Sequence, residues 1–589
     1  VVRDSPDTMV ISYSSVAWVE LAARSLSIGD TSFRLLDLRE NAAAFNVTLS
    51  YPDGSSWSGS SVEGVLSGFP AAVSGLRGSV SDASNSTALG GFWLYRDDAL
   101  SYRYASTAGL FQLRLVSGGL LVLLPIVAGA TLMLVAWAAP PSQRKDLAKH
   151  VRLISFGLSL LLFVLATLMF LESYSGIEWF SLNLNEYAYE NCTTGQIEAG
   201  ACALISGIGV SWHVGVDGLS FPMVWLTTLL VPVSMLVDWN AKKGAYFHTL
   251  LLMMEGALIG VFASLDLFLF YVFWELTLIP MFFLILMWGG ENRRYAAQKF
   301  FIYTFTASVI MLAGILILYF FTSVPLWEGN ITGRSFDVTL MAASATTPSI
   351  TFLGGFGMQK FVFLLLLVGF AAKMPSVPVH TWLPDAHVEA PTAGSMLLAG
   401  VMLKMGAYGF IRVAVTLLPE ATIHYTWLLL LLGMVSLVYA AWVCLGQTNL
   451  KRLVAYSSVS HMGLIFLGIA TMQPLGIAGA LFMMLAHGLI SPMLFAVAGA
   501  FKHHYHTLEI GSMRGIARHS PWLAGHMMLG CMASLGLPLL AGFVAEVAIL
   551  IAFWMAFGWL VLLPALTLII TGAYYIWAMQ RTIFEGGAE

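Results

Sequence analysis

The chain has 589 residues, of which 58% are hydrophobic and 10% are charged, and its formal net charge is -4 at pH 7. Soluble domains average roughly 45 to 50% apolar and about 25% charged residues, so this composition predicts a polytopic membrane protein. The basic residues are scattered along the chain, which excludes the concentrated positive surface of a nucleic-acid-binding protein.

Residues 1 to about 110 are rich in Ser, Gly and Asp and contain no apolar run of the ~18 residues that a spanning helix needs. We therefore predict an extramembrane extension, either a small β-rich domain or a segment lying over neighbouring subunits. The chain begins with Val and shows no signal-peptide pattern, which indicates a processed or incomplete N-terminus.

Apolar windows of about 20 residues recur from Phe111 onward and predict an all-α membrane region of about thirteen transmembrane helices. The predicted spans are 111–138, 152–172, 219–238, 246–265, 266–290, 299–323, 359–386, 391–416, 425–446, 452–472, 475–500, 521–552 and 556–584. Lys and Arg, Lys451 among them, collect in alternate connections, which places these connections and the C-terminus inside. The loop from Glu172 to Gly218 has no Lys or Arg and is predicted to lie outside with the extension.

The four cysteines do not form a CxxC pair or any other spacing suited to zinc, haem or an iron–sulfur cluster, so we expect no redox cofactor in this chain. Cys192 and Cys202 share the outer loop and could form a disulfide if that loop faces an oxidising compartment. Cys444 and Cys531 lie in apolar runs and are expected to be inert.

The segment from Val362 to Arg412 carries the strongest functional signal. Lys373 and Lys404 lie in apolar runs, where a charge is tolerated only if it lines a polar cavity or pairs with another charge. Pro375 and the proline three residues later break the helix just past Lys373, and the freed backbone groups need protein or water partners. A broken helix beside a buried lysine is typical of a transport path.

Other ionisable residues in the spans extend this signal to a proton relay. Burial raises the pKa of a carboxyl and lowers that of a lysine, and an opposite charge nearby reverses both shifts, so a Glu/Lys pair that opens and closes is a proton gate. For any single Glu or Lys, the alternative is a fixed salt bridge between helices, and for His487 it is a histidine satisfied within the core. The predicted relay consists of Glu275, Lys373, Lys404, His487 and Glu546.

Three further ionisable residues are left out of this relay, Glu255 and Arg412 because they lie near predicted span ends. Glu255 is expected to face lipid headgroups, and Arg412 is expected to snorkel to the membrane surface. His461 could either cap or pack a helix end or take part in proton transfer.

The broken span with Lys373 has a counterpart five spans later, where Pro538 precedes Glu546. Because five is odd, the two copies cross the membrane in opposite senses, which is the pattern of an inverted repeat with ion sites near the midplane. We divide the chain into the extension at 1–110, N-terminal transmembrane helices at 111–240, and antiporter-like repeats at 241–418 and 419–589.

Three motifs carry a resemblance to a known family: FYVFWELTLIPMFFLI around Glu275, AKMPSVPVHTWLPDAHVEAPTAGSMLLAGVMLKMGAYGFIR around both lysines, and TNLKRLVAYSSVSHMG ending at Gly463. From about residue 111 to 584 the chain resembles the antiporter-like membrane subunits of respiratory complex I, in particular NADH dehydrogenase subunit 4 and the bacterial chain M. The resemblance implies that Glu275 and Lys373 serve the inner half-channel, that Lys404 and His487 join the halves, and that Glu546 serves the outlet.

The resemblance also implies the setting of this chain. It would be a proton-translocating subunit of an NADH:ubiquinone reductase, with FMN and iron–sulfur clusters in partner subunits and no cofactor of its own. Its partners would be other membrane-arm subunits, especially neighbouring antiporter-like chains, and membrane lipids, without nucleic acid. An energy-transducing membrane is implied. The N-terminal extension and the absence of a fourteenth span favour the mitochondrial inner membrane over a bacterial plasma membrane.

The chain departs from the family in three places. The stretch from Leu537 to Ala545 lacks the usual Pro, Thr, Asn and Gly pattern, about thirteen spans stand where the family has fourteen, and the extension has no family counterpart. Two rival functions remain: a subunit of a multisubunit proton/cation antiporter, and a structural subunit that does not pump.

Overall fold

The computed structural model describes residues 118–140, 142–175, 208–239, 243–322, 332–345 and 356–584, together with short strands elsewhere in the chain. The chain divides into two compact units. The first comprises Val1–Leu113, Tyr189–Cys202 and Pro325–Ile331, and the second comprises the rest. The cysteine pair Cys192 and Cys202 lies outside the described residues.

Two four-stranded sheets make up the described part of the first unit. Their strands are β1 Arg3–Ser5, β2 Thr8–Ile11, β3 Ala23–Ile28, β4 Thr31–Leu36, β5 Ala44–Ser50, β6 Ser56–Val62, β7 Leu76–Asp82 and β8 Ala88–Leu94. One sheet has the order β1-β2-β4-β3 with β2 parallel to β4, and the other has the antiparallel order β6-β5-β7-β8. In the second sheet Val47 pairs with Gly59 on one side and Val80 on the other.

Helices form almost all of the described second unit. They are α1 Gly118–Ala138, α2 Arg144–Ser175, α3 Phe221–Val237, α4 Ala245–Ala263, α5 Leu267–Leu276, α6 Leu278–Trp288, α7 Arg293–Phe321, α8 Val338–Ala345, α9 Phe356–Lys373, α10 Trp382–Glu389, α11 Thr392–Leu397, α12 Leu403–Gly409, α13 Pro419–His424, α14 Thr426–Leu445, α15 Leu450–Ala470, α16 Pro474–Tyr505, α17 Ile516–His519, α18 Pro521–Ser534, α19 Ala541–Phe557 and α20 Leu562–Met579. Short strands lie in the connections, at β9 Asn185–Tyr187, β10 Ala203–Ile205, β11 Val210–Ser211, β12 His213–Gly215, β13 Val324–Pro325 and β14 Thr332–Gly333.

Ten helical segments of the described residues are long and apolar enough to cross a membrane, and α3 is a shorter apolar helix. The predicted class of an all-α polytopic membrane protein is therefore confirmed. The count of about thirteen spans and the four-region division stay predictions. Burial differs among the helices: 94% of the apolar window in Leu450–Ala470 is buried, against 33% in Gly119–Ala138. Outer helices instead expose large apolar side chains such as Trp137 and Ile154, as a lipid-facing surface requires.

The first helix break falls where the two prolines predict it. Helix α9 ends at Lys373, and helical structure resumes at Trp382. The freed backbone groups have protein partners, since Trp382 Nε1 donates to Ala372 O at 3.0 Å and Val377 N–H donates to Ser436 Oγ at 2.9 Å. Side chains from other helices thus satisfy backbone that lipid could not.

A second break divides the predicted span 521–552 into α18 and α19 around Pro538. Gly536 within it has φ +79°, a conformation that glycine adopts without a steric penalty. Leu539 has φ +76° and is fully exposed, which is uncommon for a residue with a Cβ. The backbone here is therefore sharply turned at the start of the helix that carries Glu546.

Two π-helical stretches flank α12, at Leu398–Met402 and Phe410–Val415. Neither is readable from the hydropathy pattern. Short π-helical turns inside α-helices occur frequently at functional sites because they redirect side chains and release a carbonyl.

Asp266 fixes the start of α5. Its Oδ1 accepts from Phe268 N at 2.8 Å and Leu269 N at 3.1 Å, and its Oδ2 accepts from Ser211 N at 2.9 Å. Burial raises the pKa of Asp266 to about 6, although these hydrogen bonds act to lower it. Asp266 therefore caps the N-terminus of α5, the helix in which Glu275 is the second-last residue.

Arg412, which was expected to snorkel to the membrane surface, has a specific partner in the connection before α3. Arg412 Nη2 lies 2.6 Å from Asp217 Oδ1 and 2.7 Å from Oδ2, and Nε donates to Tyr408 Oη at 3.1 Å. Burial acts to raise the pKa of Asp217, but the Arg412 hydrogen bond and charge, with bonds from Ser220, hold it below its ordinary value. This ion pair ties the second π-helical stretch to the loop before α3.

Replacing Asp217 by Asn is expected to lower the melting temperature of the purified protein at neutral pH, because the amide lacks the charge that Arg412 binds. A depressed pKa means that Asp217 stabilises the fold above its unfolded pKa of about 3.9, and that this contribution is lost as pH falls through the depressed value. The difference in melting temperature between wild type and variant should therefore shrink at acidic pH. A difference that is constant from neutral to strongly acidic pH would contradict this assignment.

Candidate functional site

Glu275 and Lys373 lie at the ends of two different helices. Lys373, the last residue of α9, is 2% exposed, and its Nζ lies 3.5 Å from Thr277 Oγ1 and 5.4 Å from the centre of the Trp274 ring. Glu275 interacts with Lys373 electrostatically, without a direct ion pair between them. The carbonyl end of α9 carries partial negative charge and favours the ammonium form.

Lys404 and His487 are in direct contact. Both are buried, with exposures of 0% and 4%, and Lys404 Nζ lies 2.8 Å from His487 Nδ1. Lys404 Nζ also donates to Ala399 O, inside the first π-helical stretch. Because an ammonium group only donates, Nδ1 accepts, and the proton of a neutral His487 lies on Nε2.

Close backbone packing brings this pair together. A Cβ on Gly488 would lie 3.1 Å from Gly400 O, and a Cβ on Gly400 would lie 3.4 Å from Gly488 O. The first π-helical stretch and α16 therefore cross with only hydrogen atoms between their backbones, as small residues allow in membrane helices. His487 lies next to this crossing, and Lys404 lies one turn beyond it.

The lysine-bearing helices also touch at the first break. A Cβ on Gly406 would lie 2.6 Å from both Met374 N and Phe370 O. Helix α12, which carries Lys404, thus packs against the backbone at the end of the helix that carries Lys373. Any larger residue at position 406 would push the two lysine-bearing segments apart.

His461, whose role the sequence left open, packs against His487 and so extends the Lys404–His487 contact. Its ring centre lies 5.4 Å from that of His487, and its Nε2 lies 3.1 Å from Ser534 Oγ. Ser534 Oγ donates to Tyr575 Oη at 2.8 Å, and Tyr575 Oη donates to Ser457 Oγ at 2.8 Å. Since the Ser534 hydrogen is used on Tyr575, Ser534 accepts from His461, which places the proton of a neutral His461 on Nε2.

Glu546 faces the two histidines across a narrow cavity. The cavity is lined by His461, His487, Ser534 and Glu546 among others. Its volume of about 10 Å³ for the centre of a water molecule is enough to hold roughly one water. Glu546 is 4% exposed, and its Oε1 has no hydrogen-bond partner among the described residues. The carboxyl lies over Gly536, where any Cβ would collide with Oε2.

Sequence reasoning missed two further buried groups, Lys451 and His387. Lys451 was assigned to an inside loop, yet it is 2% exposed and donates to Ala390 O at 2.9 Å. His387 is fully buried, and its ring stacks on Phe495 at 4.3 Å and 7°. It lies within electrostatic reach of both Lys451 and Lys404. Both residues lie in the quoted motifs, which was the available signal.

The geometry defines a class of protein. Apolar helices with two breaks, and buried Lys, His and Glu side chains close to those breaks, are the features of an ion-translocating, antiporter-like membrane protein. Residues 264–571 match the family described as NADH:quinone oxidoreductase/Mrp antiporter, TM, and the chain belongs to this family. All five residues of the predicted relay fall within the matched range.

Named relatives support the same assignment. The chain is 41% identical over 412 residues to F(420)H(2) dehydrogenase subunit M of Methanosarcina mazei, covering 69% of this chain and 81% of that one. It is 41% identical over 382 residues to NADH-quinone oxidoreductase subunit M of Rhodobacter capsulatus, covering 64% and 73%. A chain of respiratory complex I from Thermus thermophilus with bound NADH superposes with a TM-score of 0.66 at 33% identity, covering 80% of this chain and 90% of that one.

The predicted resemblance to complex I subunit 4 and chain M is therefore confirmed. These three relatives come from bacteria and an archaeon, so the preference for a mitochondrial membrane gains no support from them.

Proposed function

We propose that this chain is a proton-translocating membrane-arm subunit of an NADH:quinone oxidoreductase of the complex I type. The observation that carries the proposal is the buried contact of 2.8 Å between Lys404 Nζ and His487 Nδ1. A lysine and a histidine that share a proton inside an apolar core have no evident structural advantage over apolar packing. They do allow a proton to pass between two nitrogen atoms.

The relay divides into three stages. On the inner side, the approach of Glu275 holds the proton on Lys373, and a separation of the two side chains lets Lys373 release it. Lys404 then receives a proton and passes it to His487, with Ala399 O holding the ammonium in place. At the outlet, water in the cavity carries the proton from the histidines to Glu546.

The driving force would come from partner subunits. The Rhodobacter relative is named as a subunit of NADH-quinone oxidoreductase, and we extend that setting to this chain. FMN and iron–sulfur clusters in partner subunits would carry the electrons, and neighbouring antiporter-like chains would lie beside this one in an energy-transducing membrane. The Methanosarcina relative is named as a subunit of an F(420)H(2) dehydrogenase, so the experiment below also identifies the electron donor.

Purification of the native complex in detergent, followed by reconstitution in vesicles, tests this function against the antiporter alternative. We expect flavin and iron–sulfur partners to co-purify, and NADH oxidation by quinone to acidify one side of the vesicle membrane. A particle without redox partners that instead exchanges sodium for protons would replace the proposal with the antiporter function. A particle that oxidises NADH while this subunit contributes no protons would leave it a structural subunit.

A further inference from the structure

Glu255 does not lie near a helix end, contrary to the sequence expectation. It occupies the middle of α4, eight residues from the end of that helix, and is 0% exposed. Neither carboxyl oxygen has a hydrogen-bond partner among the described residues. A buried carboxyl without a hydrogen-bond partner is strongly unfavourable, so Glu255 needs a physical explanation.

A column of polar side chains leads to this carboxyl. On α2, Ser155 lies three residues after Arg152, and Ser159 lies seven residues after it. On α4, Glu255 lies seven residues after His248. These spacings put each set on one face of its helix. The two helices pack together, and the Ser159 hydroxyl lies beside the Glu255 carboxyl without forming a well-aligned hydrogen bond to it. Seven residues of helix correspond to about 10 Å of depth.

The column shares a property with the proposed relay. Of the fifteen buried side-chain polar atoms without a hydrogen-bond partner in the described residues, seven belong to this column. Several of the others belong to Glu275, His380, His387 and Glu546, in or beside the relay. Ser155, Ser159, His248 and Glu255 are all at most 2% exposed. Polar atoms that are buried, aligned and unpartnered by protein are the atoms that internal water bonds.

At one end the column meets charged side chains. Arg152 Nη1 donates to Trp239 O at 2.6 Å, and Lys243 pairs with Asp238 at 2.6 Å, so the starts of α2 and α4 meet the end of α3 at a charged mouth. Of the other helices that pack against α4, three contain no ionisable side chain, namely α1, α3 and α6. The remaining two carry Tyr271 and Glu275 on α5, and Lys404 and Tyr408 on α12.

We propose that the facing polar side chains of α2 and α4 line a water-filled proton well that begins at Arg152 and ends at Glu255. A proton from hydronium at the mouth passes along hydrogen-bonded water to one Oε of the Glu255 carboxylate, which becomes a neutral acid. It returns by the same route in reverse. This proton-binding site is separate from the Glu275 to Glu546 relay and does not depend on the proposed function.

Infrared difference spectroscopy of the purified complex tests the well. The carboxylic-acid C=O band that is lost in Glu255→Gln is expected to shift promptly when the sample is transferred to D2O. Filling the column with Ser155→Val and Ser159→Val together should slow that shift by on the order of tenfold or more. The matched control Leu160→Val, next to Ser159 on the exposed face of α2, should exchange as wild type.

Two results would overturn the proposal. One is a Glu255→Gln difference spectrum that lacks a carboxylic-acid band at every pH from acidic to alkaline. The other is a Glu255 band that does not respond to D2O, or that exchanges equally fast when both serines are valine. Neither result bears on quinone-linked proton pumping, which is measured separately in vesicles.

Discussion

Replacing Lys404 by Ala is expected to abolish proton transfer through this chain. Lys404 Nζ is the donor to both His487 Nδ1 and Ala399 O, so its loss removes the ammonium group that hydrogen-bonds to His487. Loss of a positioned proton-transfer group typically slows transfer on the order of 10² to 10⁴-fold. The measurement is the number of protons pumped per quinone reduced by the reconstituted complex.

Two control variants separate proton exchange from packing. Lys404→Arg keeps the positive charge but does not release its proton, so it should also fail to pump. Lys502→Ala removes an exposed lysine at the end of α16, the helix that carries His487, and should pump as wild type. Normal pumping by Lys404→Arg would mean that position 404 needs only a charge, and the proposed relay would be wrong there.

The pair Glu275 and Lys373 should show the next largest effect. Glu275→Gln and Lys373→Ala are each expected to reduce proton pumping on the order of tenfold while leaving assembly intact, because the gate needs both charges. The double variant should be no worse than the more impaired single variant, since residues that act as a unit have strongly non-additive effects. Pumping and complex yield are measured on the same preparations.

Unchanged pumping stoichiometry in both single variants would favour a structural subunit. Effects that multiply in the double variant would instead mean that the two residues act independently. The present geometry bears on this, because Lys373 Nζ contacts Thr277 at 3.5 Å and interacts with Glu275 only through space. A fixed salt bridge, the alternative for a single intramembrane charge, is therefore not what this conformation contains.

Much of the fold could be predicted from the sequence because hydropathy and proline determine structure within a single segment of the chain. Apolar runs of about 20 residues predict membrane helices wherever they occur, and the prolines after Lys373 and before Glu546 predict helix breaks that the structure contains. The motifs around Glu275, both lysines and His461 identified the family, which the matched range 264–571 confirms. Residue type in an apolar run also indicated which side chains to examine.

What the sequence by itself determined is therefore the class of protein, its family and the kinds of ionisable group buried in it. Only the tertiary structure decided which groups meet: Lys404 with His487, 83 residues apart, and His461 with Ser534, 73 residues apart. It also moved Glu255 and Lys451 from expected surface positions into the interior. The physical reason is that hydropathy reports how apolar a segment is, whereas contact depends on which face each helix turns towards its neighbours, and close glycine crossings and π-helical turns set those faces.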